Sequence, residues 1–185
     1  MKRLALALAL AAGVTPAVFA TEYTKIQPDK SSIAFAYQQM GVSMDGRFKA
    51  FTGQISFDPA QPEKTKATLD VDLSSVDTGS PENDSEVTGK SWFNTQSFPS
   101  ARFEVTGVKA LGGNRYEVAG KLSIKGTTRD LVAPATFTEQ GNAGVFEGSF
   151  TLRRGDYAIG EGDWSTFDVV ANEIKVNVRV TALAN

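Results

Sequence analysis

Between Glu173 and Val180 apolar and polar residues alternate one for one, with Ile174, Val176, Val178 and Val180 set between Glu173, Lys175, Asn177 and Arg179. A helix would scatter those aliphatics around its axis, whereas a strand puts every second side chain on one face of a sheet. The pattern recurs. Ile33, Phe35 and Tyr37 alternate with Ser32, Ala34 and Ala36, and Leu69, Val71 and Leu73 with Asp70 and Asp72. Tyr116, Val118, Leu122 and Ile124 share a phase through Gly120, as do Phe146, Phe150 and Leu152 through Gly148. Further strands are predicted at Arg47–Phe57, Ala101–Val108 and Leu131–Thr138, giving about eight in all. Asp58-Pro59, Leu111-Gly112-Gly113-Asn114, Gly126-Thr127 and Gln140-Gly141-Asn142 sit where neighbouring strands would reverse.

Helix chemistry is confined to one polar stretch, Ser80–Lys90, where Ser80 can cap and Pro81 can occupy the first turn. Long strands leave long edges, which a protein hides most completely by closing the sheet. Gly53, Gly107, Gly120 and Gly148 fall inside strands and supply the bends that closure needs. The expected fold is therefore all-β, an eight-stranded antiparallel barrel with one short helix. A barrel of that size is either just filled by its own side chains or holds one small ligand.

The 185 residues include neither His nor Cys. That excludes a Ser-His-Asp triad, a thiol nucleophile, a Cys/His zinc site and ordinary haem ligation. Lys2 and Arg3 precede an apolar run from Leu4 to Ala12, and Val18-Phe19-Ala20 ends on a small residue. This is the pattern of a secretory signal cleaved after Ala20, which leaves 21–185 as a single exported barrel domain. The run falls short of the roughly 18 apolar residues that a membrane-spanning helix needs. Residues 21–185 hold 17 basic and 21 acidic groups, a net charge of −4, so nucleic acid is not an expected partner. Without disulfides, stability must come from the core.

The segment Phe48-Lys49-Ala50-Phe51-Thr52-Gly53, followed by Ile55, Phe57, Asp58 and Pro59, resembles the opening of the YceI-like family of exported lipid-binding proteins. Ser74-Ser75-Val76-Asp77-Thr78-Gly79, Asn83-Asp84, Trp92-Phe93-Asn94, Phe98-Pro99 and Phe103 resemble its central block. Residues 118–129 resemble its hairpin G-x-L-x-I-x-G-x-T-R, and Arg154-Gly155-Asp156-Tyr157 with Ile159-Gly160 its late R-x-D-[FY]-x-I-G element. The resemblance implies a lipocalin-like barrel with a long apolar tunnel that holds a polyisoprenoid, a polyprenyl phosphate or a quinone-like molecule. It further suggests a periplasmic location and allows a homodimer; transient membrane contact is a further open expectation. Where the family commonly carries His, this chain has Gln38-Gln39-Met40 and Asp84-Ser85-Glu86. A Gln amide can hydrogen-bond a head group but cannot titrate.

The candidate tunnel residues are Phe35, Tyr37, Met40, Phe48, Phe51, Phe93, Phe98, Phe103, Ile124, Phe146, Phe150 and Trp164. The plainer alternative is that these side chains fill a solid core. Head-group candidates are Gln39, Arg129 and Arg154, with Arg102 and Arg153 as further cations near strand ends, because a guanidinium offers a two-pronged fork to phosphate. Arg154 with Asp156 equally fits a structural ion pair at a turn. Asp70 and Asp72 share a strand face and so could hold Ca²⁺ or form a glycosidase pair, but alternation with Leu69, Val71 and Leu73 puts them on the solvated side. Gly160-Glu161-Gly162-Asp163-Trp164-Ser165 lacks the third glycine and the βαβ setting of a dinucleotide loop and reads as a barrel-mouth loop.

Three functions are consistent with these residues. The first is a periplasmic carrier that sequesters an isoprenoid lipid, with no catalytic residue, metal or cofactor beyond the lipid. The second is a structural or stress-related envelope protein whose filled barrel binds a protein partner. The third, an enzyme working through Asp and Tyr, would require a buried carboxylate with a shifted pKa.

Overall fold

The computed structural model describes residues 21–185, so the expected signal segment lies outside the described residues. Eleven strands form one antiparallel sheet: β1 (Tyr23–Ile26), β2 (Ser32–Gln39), β3 (Val42–Phe48), β4 (Phe51–Ser56), β5 (Lys66–Asp72), β6 (Val76–Asp77), β7 (Ser100–Gly112), β8 (Arg115–Ile124), β9 (Thr127–Gln140), β10 (Ala143–Arg153) and β11 (Glu173–Ala184). The sheet runs β4-β5-β7-β8-β9-β10-β11-β2-β3-β6. Strand β1 pairs with the end of β11. It also bridges to the far end of β4, where Tyr23 and Phe57 exchange backbone hydrogen bonds of 2.8 and 3.2 Å. The sheet therefore curls until its two limbs meet at that end, a shape broadly like a lipocalin's.

The expected count of eight strands was too low. Residues 47–57 do not form one strand, because the chain breaks at Lys49-Ala50, sending β3 to pair with β2 and β4 to pair with β5. The other two additions, β1 and β6, are only four and two residues long. Segments so short carry too few alternations to show a period.

The hairpins follow turn chemistry. Lys125 and Gly126, with φ of 47° and 77°, form the two-residue turn between β8 and β9. Met40 and Gly41, with φ of 51° and 79°, do the same between β2 and β3. Paired positive φ values are the type I′ geometry that matches the twist of a hairpin. The long strand β7 carries a bulge at Thr106, between Val105 and Gly107, where its register against β8 shifts.

The helix α1 (Pro81–Thr88) forms as its residues require, with the Ser80 hydroxyl accepting from the Asn83 amide and Pro81 in the first turn. Asp84 ties it to the sheet by accepting from the Thr78 amide and hydroxyl, each at 2.7 Å. Asp70 lies on the outer face in an ion pair with Arg102, and Asp72 caps the following turn by accepting from the Ser74 amide. Among the described residues no acidic cluster suited to a metal ion is present.

Candidate functional site: a cavity inside the sheet

Two apolar clusters divide the interior. At the end closed by β1, Tyr23, Phe57, Tyr116, Phe137 and Phe146 pack ring against ring, with centroids 4.8–5.6 Å apart. Toward the α1 end, Leu73, Trp92, Leu122, Ile124, Tyr157 and Val170 form the other. Between them runs a cavity of about 360 Å³ whose wall draws on nearly every strand. Such a volume lies within the roughly 300–1,000 Å³ range of small-molecule sites.

The lumen stays open partly because wall aromatics lie across glycines. A Cβ on Gly46 would collide with the ring of Phe35, and one on Gly120 with that of Phe103. Each ring occupies the place of an absent side chain instead of standing into the lumen, the device by which aromatics cover glycines in β-sheets. A generous supply of Phe is thereby compatible with empty volume.

Of the twelve expected tunnel residues, Phe35, Tyr37, Phe48, Phe93, Phe103, Ile124, Phe146, Phe150 and Trp164 line this cavity. Met40 does not. The type I′ turn carries it out of the strand alternation and leaves it 76% exposed. Phe51 is buried at the start of β4 but contributes nothing to the cavity wall, and Phe98 packs beneath the β8–β9 turn, against Gly126.

The head-group candidates divide similarly. Gln39 lines the cavity, at the point where β2 bridges to Val170. Arg129 lies outside, donating to the Asp156 carbonyl at 2.9 Å beside the Tyr157 ring. Arg154 borders the cavity but is 1% exposed and has no carboxylate partner; the expected pair with Asp156 is absent. Its guanidinium lies between the rings of Trp92 and Phe167. It donates to the carbonyls of Ile159, Gly160, Trp164, Thr166, Val170 and Ala171. Burial lowers its pKa from the ordinary value. With its donors engaged, Arg154 pins the loop 158–172 and has no fork to offer a phosphate.

That loop forms one rim of the cavity. It is also held by Lys125, whose buried ammonium donates to the Ala158 carbonyl at 2.6 Å and to Glu161 at 2.7 Å. The facing rim is α1, whose Asn83, Glu86 and Val87 border the cavity. Sequence reasoning missed them, although their i, i+3, i+4 spacing marks one helix face. Trp92 was also not singled out. Its indole nitrogen is the one buried side-chain polar atom without a hydrogen-bond partner among the described residues. Tyr37, nearby, has its phenol pKa raised by burial and, less, by the charge of Asp84.

The YceI-like domain model matches residues 24–182, nearly all of the described chain. The chain belongs to the YceI-like family. A UPF0312 protein of Azotobacter vinelandii is 34% identical over 135 residues, covering 69% of this chain and 70% of the relative. Among solved structures, Burkholderia cenocepacia BcnA superposes with a TM-score of 0.83 at 32% identity, covering 85% of this chain and 99% of that one. A polyisoprenoid binding domain from Saccharophagus degradans implicated in plant cell wall breakdown shares the fold at 16% identity, with a TM-score of 0.71 over 89% of this chain and 99% of its own. The YceI-like signature residues Arg154, Gly155, Asp156 and Tyr157 thus form the turn that anchors the rim loop.

Proposed function

We propose that the protein is a non-catalytic periplasmic carrier that takes the chain of an isoprenoid lipid into its lumen. The observation that carries this reading is the continuous apolar cavity between the aromatic plug and α1. Burial of hydrocarbon is worth about 0.8 kcal/mol per CH₂ relative to water, so a short isoprenoid is strongly favoured inside. Against a bilayer, where the chain is already out of water, transfer is nearly balanced and contacts at the polar end decide loading and release. The description of a protein of the same fold as polyisoprenoid-binding supports the choice of ligand. The open lumen speaks against the filled-barrel alternative.

The test is native mass spectrometry of protein isolated from the periplasm, followed by solvent extraction. A stoichiometric lipid of several hundred daltons is the expected result. Added geranylgeraniol should also raise the melting temperature by linkage, which amounts to about 2.7 kcal/mol at a hundredfold excess over Kd. Folded Phe103→Asp and Phe150→Asp variants should lose that gain. An empty protein that is indifferent to isoprenoids would refute the reading.

A further inference from the structure

The polar groups at the α1 end carry a specific electrostatic signature. Trp92 lines the cavity and is 6% exposed, and its indole nitrogen, itself shielded from solvent and lumen, has no hydrogen-bond partner among the described residues. Tyr37, Gln39 and Asn83 bring a phenol and two carboxamides to the same end of the wall. Glu86 adds a carboxylate that makes no ion pair among the described residues. Among the described residues of the wall no available cation stands against these. The wall's two basic residues are Arg102, paired with Asp70 on the outer face, and Arg154, whose donors are taken by loop carbonyls. The net charge of −4 over residues 21–185 has the same sign.

We infer that Glu86 is a specificity-determining residue, which makes the α1 end of the lumen accept an uncharged hydrogen-bonding head group, hydroxyl or carbonyl, and reject an anionic one. An uncharged hydroxyl can accept from and donate to the carboxamides of Gln39 and Asn83 and can donate to Glu86. A phosphate would lie beside the uncompensated Glu86 carboxylate at the solvent-exposed mouth of the lumen, where like charges repel, though screened by water. The inference rests on the carrier reading and narrows its cargo to neutral isoprenoids, away from polyprenyl phosphates.

Geranylgeraniol and geranylgeranyl monophosphate share one chain and differ only in the head, so their binding isolates the effect. Affinities would be read from quenching of the Trp92 and Trp164 fluorescence. The alcohol should bind the wild-type protein about threefold to fivefold more tightly than the phosphate, as one solvent-screened charge contact predicts. Glu86→Gln should bring the two affinities toward equality, and Glu86→Lys should reverse their order. Glu86 lies on an exposed part of α1, and circular dichroism would check that both variants fold. High salt should shrink the wild-type ratio but not that of Glu86→Gln. Equal binding of the two probes by the wild type, or an unchanged ratio in Glu86→Gln, overturns the selectivity while leaving the carrier intact. Failure of both probes to bind overturns the carrier reading and the selectivity with it.

Discussion

Arg154 shows how one residue can be misplaced in role while correctly placed in space. A strand-end Arg in an Arg-Gly-Asp-Tyr segment has the chemistry of an anion ligand, and the sequence contains nothing to say that six carbonyls will converge on it. Those carbonyls come from residues 5 to 17 positions away, and only the folded loop brings them to one guanidinium. Replacing Arg154 with Met would keep much of the stem's packing but leave that ring of carbonyls without donors. Hydrogen bonds to charged groups contribute about 1.5–3 kcal/mol each. Urea denaturation of Arg154→Met should therefore show a loss of about 3 kcal/mol or more, and a fall near zero would refute the pinning role. The exposed Arg102–Asp70 pair should contribute under about 1 kcal/mol by the same measurement.

At the scale of elements, alternation located the long strands and the tunnel side chains on them. Phe35, Phe103, Phe146 and Phe150 needed only their phase in a period of two. What failed was legibility at breaks. Met40 follows the strand phase on paper, yet a turn begins there, and a turn cancels alternation. The segment 47–57 looked continuous because its strand break carries no Pro or Gly at Lys49-Ala50. The glycine–aromatic pairs were half visible: the glycines were read as bends, whereas the rings they accommodate lie on neighbouring strands and emerge only from register. Gly120→Ala tests this directly. The new methyl would press on both the Phe103 ring, driving it into the lumen, and the Glu104 carbonyl, costing about 1–3 kcal/mol of stability as overpacking does. It should also weaken geranylgeraniol binding, whereas Gly107→Ala, with open space around its Cβ position, should leave the Phe103 ring in place.

For the whole molecule, composition sets the response to pH. With no His and no Cys, no side-chain type ordinarily titrates between about pH 6 and 8. Stability over that interval should be nearly flat. At the alkaline end, Tyr23, Tyr37, Tyr116 and Tyr157 all have phenol pKa values raised, chiefly by burial. A raised folded-state pKa gives a contribution present below the unfolded value of about 10 and lost as pH rises through the folded one. Thermal melts should accordingly hold steady through neutrality and fall above about pH 10. A step near pH 6.5 would contradict this account.

The pairing of β1 with β11 also bears on how the chain acquires its shape. Residues 23–26 find their partners at 182–184, almost the full length of the described chain away. Such a contact is among the most expensive in loop entropy and among the last to form. The aromatic plug draws on the same two strands, through Tyr23 and Ala182. A chain still emerging from a ribosome lacks the strand against which β1 must lie until residues 173–184 have been made. The lumen can thus be sealed at that end only once β11 is available, which couples the birth of the binding compartment to the arrival of that strand.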